Sequence, residues 1–296
     1  MISKARGELA NATSGVGGNW PRVVAVLREP VFSPGMVEHD AAILRATAAE
    51  LGKRHLVACS VLTLSELAAL EHTPDLVLSM AEGDDALALL ETIEKRGATV
   101  VNAPAGVRAT RRQSLLALSG PGRPLVEGAL VETNDGDRIP PSLLAGGSVW
   151  VKRADYHALG PGDVARVESS EVIPALRSLW DRGVKRAVVQ PHLAGPVVKF
   201  YGVAHQRPFF RAFPIDAGFE PSREALEQLE RSAFEAARAA GIEVFGGDAV
   251  FAPGKPPVLI DLNAWPSFWR CLAGAAQAIS DHAVSQLAAR AATRVA

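Results

Sequence analysis

The chain has 296 residues, 48% of them hydrophobic, with 31 basic against 32 acidic side chains and a formal net charge of -1. That composition fits a folded chain of two or three subdomains and argues against disorder. The even charge balance leaves no footprint for nucleic acid or for an anionic membrane surface.

No run approaches the roughly 20 apolar residues of a membrane span. The first 18 residues lack an apolar leader core, so the protein is expected to be cytoplasmic. Gly15, Gly17 and Gly18 follow no strand and read as a frayed tail, with order expected from about Trp20. VVAVL (23–27) is a short β-branched run that reads as a buried strand. From Asp40 the residues Ile43, Leu44, Ala48 and Leu51 keep helical spacing, and Gly52 is expected to end the helix. HLVACSVL reads as a strand, LSELAALE as a helix, DLVLSM as a strand, 84–96 as a helix and TVVNAP as a strand. This alternation predicts an open α/β domain with a parallel sheet over residues 20–103.

A further helix is expected over Arg108–Ser119, after which the pattern turns α+β with antiparallel strands. LVEGALV, SVWVK and AVVQ are its short apolar runs, and Ile173–Arg182 is its helix. VVKFYGVAH and FFRAFPI follow. Then comes a helix in which Leu226, Leu229, Ala233 and Ala237 share a face, ended by Gly241. EVFGGDAVF, a turn, VLIDLNAW and an alanine-rich helix from Ala273 complete the chain. Cys59 and Cys271, far apart in apolar or alanine-rich surroundings, read as reduced packing residues.

The most informative segment is acidic. A hairpin centred on Gly254 and Lys255 sets Asp248 opposite Asp261, Ala249 opposite Ile260 and Phe251 opposite Val258, with Asn263 on the Asp261 face. Directly opposed like charges destabilise a sheet. Two carboxylates and an amide converging there suit a magnesium ion, which takes one or two carboxylates plus phosphates and water. On spacing alone, a solvated edge relieved by water or a nearby arginine fits equally.

Lys152 ends a strand before a loop holding Gly160 and Gly162, a setting in which lysine meets phosphate as a point charge. Lys199 and Arg211 stand inside apolar strand-like runs, where a charge is costly unless paired or solvated, so they are candidate catalytic groups facing phosphate or an anionic substrate. Guanidinium clamps phosphate bidentately, which favours Arg211 of the two.

GGDAVF, a turn, and VLIDLNAWPSF together resemble the metal-binding end of the ATP-grasp superfamily, which includes glutathione synthetase and D-alanine–D-alanine ligase; the matching positions are Asp248, Asp261, Asn263 and Pro266. The resemblance spans roughly residues 100–270. It implies an α/β N-terminal domain followed by an α+β ATP-grasp fold of two subdomains, at 104–190 (lid) and 191–296 (metal site). It further implies ATP and magnesium, with manganese as an alternative ion. Lys152 would contact the α/β-phosphates under a mobile lid loop, where Tyr156 and His157 have no assigned role. Gln190, Pro191, His192 and Leu193 would edge the adenine. Where the family commonly has Asp-Lys, the segment VVNAPAGVRATRRQSLL offers Arg112, or Gln113 if the alignment shifts by one. Asp261 stands where glutamate is more usual, a form also resembling the inositol-phosphate kinases of this fold.

The implied activity is a ligase joining a carboxylate to an amine or thiol through an acyl-phosphate, on small-molecule or peptide substrates. A small-molecule kinase and a non-catalytic ATP-binding regulator are the alternatives. Arg28, Glu82 and Asn102, at carboxyl ends of strands, are candidates for the substrate side. A homodimer is the commonest assembly of soluble oligomers.

Overall fold

The computed structural model describes residues 21–295 apart from 121, 136 and 137; Gly15, Gly17, Gly18 and Trp20 lie outside them. The first third alternates β1 (Val23–Val26), α1 (Val37–Glu50), β2 (Cys59–Leu62), α2 (Leu64–Ala68), β3 (Leu76–Ser79), α3 (Asp84–Lys95) and β4 (Thr99–Val101). These strands form a parallel sheet in the order β2-β1-β3-β4. Strand alternation divides β1 between two cores. Val23 and Ala25 join Ile43 and Leu44 of α1, while Val24 and Val26 join Leu87 and Leu90 of α3.

Two boundaries differ from expectation. Gly52 does not end the first helix; the chain continues through a π turn, Leu51–His55, and stops at Leu56 with φ of 58°. The extra turn carries Arg54 and His55 to Asp281, at 3.0 and 2.9 Å, so tertiary pairing outweighs the glycine signal. Instead of a single helix over Arg108–Ser119 there are α4 (Pro104–Ala109) and α5 (Arg112–Leu115). Pro104 sits at the start of α4, as its fixed φ favours.

The middle of the chain gives β5 (Ala129–Glu132), α6 (Pro141–Leu144), β6 (Ser148–Arg153), β7 (Val164–Glu168), α7 (Val172–Asp181) and β8 (Arg186–Pro191). Its antiparallel sheet, β5-β8-β6-β7, buries Val149, Val151 and Val189 against Leu176 and Leu179 of α7. The last third gives β9 (Val197–Val203), β10 (Phe209–Pro214), α8 (Arg223–Ala240), β11 (Val244–Val250), β12 (Val258–Ala264) and α9 (Leu272–Val295). Its antiparallel order is β10-β9-β11-β12.

The first and last sheets share both of their cores. α9 fills one with Ala276, Ile279 and Ala283, which meet α1 on one side and Val203 and Val244 on the other. Asn102, just after β4, ties the two sheets directly. Its Nδ2 donates to the Val244 carbonyl at 2.7 Å, and its Oδ1 accepts from the amides of Glu243 and Val244 at 2.8 and 2.9 Å. Buried and fully engaged, Asn102 serves as a fastener rather than the substrate contact proposed for it.

The second junction admits no side chain. A Cβ on Gly106 of α4 would lie 2.2 Å from the carbonyl oxygen of Gly241, which ends α8 with φ of 71°. Gly106→Ala is therefore expected to lower stability by about 1–3 kcal/mol, read as a lower urea midpoint at unchanged slope. Burial pushes the thiols of Cys59 and Cys271 up, to about 12 and about 11. Little thiolate then exists at pH 8, so a thiol reagent is expected to label the native protein slowly and the urea-unfolded chain fast.

Candidate nucleotide and metal site

One face of the last sheet carries a row of charges. Register places Lys199 of β9 opposite Asp248 of β11, and Asp248 opposite Asp261 of β12. Lys199 Nζ lies 2.8 and 3.1 Å from the two Asp248 carboxylate oxygens. Burial raises the pKa of Asp248, and the Lys199 ammonium opposes that shift. Gly247 makes the close strand approach possible, since a Cβ there would fall 2.2 Å from the Asp261 carbonyl oxygen.

Beyond Asp248 the register differs from the simple hairpin. A bulge makes Ala249 face Leu259 and Val250 face Val258, leaving Ile260 as the extra residue. The expected pairs of Ala249 with Ile260 and Phe251 with Val258 do not form. The displaced Ile260 carbonyl instead accepts from Lys152 Nζ at 3.2 Å, so the irregularity has a partner.

Basic side chains from the middle of the chain surround Asp261. Arg112 Nη2 lies 3.6 Å from its Oδ2 and His157 Nδ1 lies 3.9 Å from the same oxygen. Arg112 also donates to the carbonyls of Tyr156 and Arg153, at 3.0 and 3.4 Å. Burial alone would raise the pKa of Asp261, but Arg112, His157 and Lys152 together hold it down at about 2. Buried Lys152 is lowered to about 8, chiefly by desolvation, with Asp261 opposing. Desolvation also takes His157 down to about 4.

Asn263 Oδ1, on this same face, is buried without a hydrogen-bond partner among the described residues. A buried carbonyl-type oxygen wants a donor or a cation, and beside two carboxylates it makes an all-oxygen donor set that fits a hard divalent ion. Among the described residues no group of three or more His, Cys, Asp and Glu side chains forms a metal cluster. Any ion here would therefore need ligand oxygens beyond the two carboxylates and the amide.

Gln190, Pro191, His192 and Leu193 line a small cavity of about 60 Å³, together with Lys152 and Trp150. Trp150 Nε1 donates to His192 Nδ1 at 3.3 Å and so fixes the ring that edges the cavity. Arg112, rather than Gln113, is the residue that reaches the acidic row. Arg211 lies apart from it: the residue is exposed on β10, opposite Tyr201, with its Nη1 donating to the Phe210 carbonyl at 2.7 Å.

Arg28 and Glu82 stand at the carboxyl ends of β1 and β3, where the strand order reverses. They pair with each other; Arg28 also holds Asp40 at 3.0 Å and donates to the Trp265 carbonyl at 2.6 Å. Both side chains are largely buried in these contacts. Tyr156 and His157 took no role from sequence, since a loop residue carries no periodic signal. Yet Tyr156 Oη donates to Asp84 Oδ2 at 2.9 Å, its ring packs 4.8 Å from that of Phe32, and the Arg111 guanidinium sits 4.8 Å above it.

No protein-family model and no curated protein matches the chain. Solved structures do. D-alanine–D-alanine ligase from Coxiella burnetii superposes with a TM-score of 0.69 at 14% identity, covering 93% of this chain and 97% of that one. The Bacillus anthracis D-alanine–D-alanine ligase complexed with ATP gives 0.67 at 13%, covering 93% and 99%. An ATP-grasp RimK domain protein from Sphaerobacter thermophilus gives 0.62 at 18%, covering 88% and 98%.

The chain has the ATP-grasp fold.

Within this ATP-grasp fold the loop after β6 is fastened at both ends. Buried Asp163 accepts from Arg153 at 3.0 Å, from Arg182 at 2.7 Å and from the amides of Leu159 and Gly160 at 2.9 and 3.2 Å. At its near end Tyr156 reaches across to Asp84 of α3. Tyr156→Phe removes that hydrogen bond alone and is expected to speed amide hydrogen exchange over residues 155–160 by several-fold, with exchange in α7 unchanged.

Proposed function

We propose that this protein is an ATP- and magnesium-dependent ligase joining a carboxylate to an amine or thiol. The observation that carries the reading is the acidic row itself: Asp248 faces Asp261 beside the orphaned Asn263 oxygen, with buried Lys152 anchored on the neighbouring Ile260 carbonyl. A divalent cation held by Asp248, Asp261 and Asn263 would supply charge neutralisation at the nucleotide phosphates.

The chain's own groups do the rest by positioning and electrostatics. Lys152, lowered to about 8 by burial, regains its proton fully once phosphate charge approaches, because an opposite charge favours the ammonium. Lys199 and Arg112 already neutralise the two carboxylates and can turn toward phosphate oxygens as a cation takes over. Gln190–Leu193 bound the purine. Arg211, exposed on the same face, receives the acceptor carboxylate. A carboxylate oxygen attacks the γ-phosphorus and ADP leaves. An amine or thiol then attacks the acyl carbon, inorganic phosphate departs, and the nucleophile's proton passes to solvent.

That solved structures of similar fold include D-alanine–D-alanine ligases supports this reading over phosphorylation of a hydroxyl. The short Asp261, engaged by Arg112 at 3.6 Å, favours the kinase as second reading. Phosphate release separates the two. The ligase releases phosphate only with carboxylate and nucleophile together, a kinase transfers it to a single hydroxyl acceptor, and a regulator binds ATP without turnover. Asp248→Asn and Asp261→Asn are each expected to reduce phosphate release by about 100-fold or more while the far-ultraviolet circular dichroism stays native. Full activity in both variants would sink the metal assignment.

A further inference from the structure

Over the same sheet face, apart from the acidic row, stand two arginines that form no ion pair among the described residues. Arg211 stacks 5.0 Å from the centre of the Phe209 ring, and its hydrogen bond goes to a backbone carbonyl. The Phe209 ring in turn packs against Gly274, in the first turn of α9. Arg270, two residues before α9, lies 4.8 Å over the Trp269 ring and 5.9 Å over that of Phe213. Phe213 is the cross-strand neighbour of Lys199, and Arg211 that of Tyr201. The Tyr201 ring packs 6.0 Å from that of Phe213. Reading along the face from Asp248, the order is Lys199, Phe213 with Arg270 above it, then Tyr201 and Arg211.

Backbone geometry explains how Arg270 gets there. Trp265 and Phe268 both adopt positive φ, 43° and 53°, which non-glycine residues avoid. Both side chains are buried, at 1% and 0% exposure, and that burial offsets the strain. The turn so made throws Trp269 and Arg270 outward, with Trp269 also meeting the His39 ring of α1 at 6.4 Å. Arg270 pulls the pKa of the Tyr201 hydroxyl down and Arg211 that of the Cys271 thiol, each against burial. Two exposed guanidiniums stacked on rings near the start of α9, with Arg211 spending one nitrogen on a backbone carbonyl, are suited to carboxylates.

We infer that the acceptor carries two carboxylates, the reacting one at Arg211 beside Lys199 and a second, non-reacting one at Arg270. The substrate class is then a dicarboxylic acid, an acidic amino acid or a peptide ending in one. This rests on the ligase reading for the role of the first carboxylate, while the second is read from Arg270 alone.

The test is calorimetric titration of the full chain loaded with Mg²⁺ and AMPPNP, using succinate, glutarate, glutamate and triglutamate. Glutaramate, the half-amide of glutarate, is the matched control. At least one diacid is expected to bind, and the half-amide at least about tenfold more weakly than glutarate. Arg270→Gln should erase that difference, and Arg270→Lys should restore part of it. The inference is overturned if no diacid binds, if the half-amide binds as well as glutarate, or if Arg270→Gln keeps the preference. It is equally overturned if Arg270→Gln weakens AMPPNP instead, which would place Arg270 on the nucleotide phosphates. Phosphate release is followed separately. Diacid binding without release in the presence of amines would overturn the ligase reading and leave the receptor standing, whereas amine-dependent release with monoacids alone would do the reverse.

Discussion

Two carboxylates set opposite one another across adjacent strands are the constraint around which this protein is arranged. In isolation the pair would push β11 and β12 apart. The structure answers with one cation from each side: Lys199 from the neighbouring strand holds Asp248, and Arg112 from the middle of the chain approaches Asp261. The compensation is asymmetric. Asp261, beside Arg112, His157 and Lys152, is held ionised at about 2, while burial raises the pKa of Asp248 against the opposing pull of Lys199 and Lys152. Such an arrangement costs desolvation energy that a packed apolar pair would not, and functional sites are where that cost is commonly found.

The face that carries this row also joins the first and last sheets. Toward one end of the last sheet Val203 and Val244 lie under α9, which packs in turn on α1; toward the other, Lys199, Asp248 and Asp261 look out at the loop after β6. A single sheet therefore serves as core and as binding surface along its own strands. Asn102 and the bare Gly106–Gly241 contact pin that sheet to the end of β4 and to α4, so the acidic row has a rigid support. The loop beside it crosses to α3 through Tyr156 and Asp84.

Much of this was legible in the sequence because it is periodic or chemically odd. The parallel and antiparallel patterns announced the sheets, and acidic residues in a strand are rare enough to mark Asp248 and Asp261. What escaped depends on partners far along the chain. Gly52 is a normal stop signal, overridden by Asp281 more than two hundred residues away. The bulge at Asp248 is invisible to a centred hairpin, because the advantage it brings is a contact between Ile260 and a lysine of another sheet. His157 and Arg270 lie on irregular segments whose direction is set by packing, as the buried Trp265 and Phe268 set that of Arg270. Asn102 looked like a loop residue at a strand end and proved to be a buried clamp.

The bulge also separates the hairpin into two mechanical parts. On the sheet side of it, pairing is in strict register from Phe245 with Ala264 to Asp248 with Asp261. Past it the register is already shifted by one, and residues 253–256 form an exposed turn through Gly254 at φ of 68°. A length change at that tip is absorbed before it reaches the acidic row. The tip is thus a natural attachment point, where an affinity tag or a fluorophore can be grafted with the donor oxygens left in place.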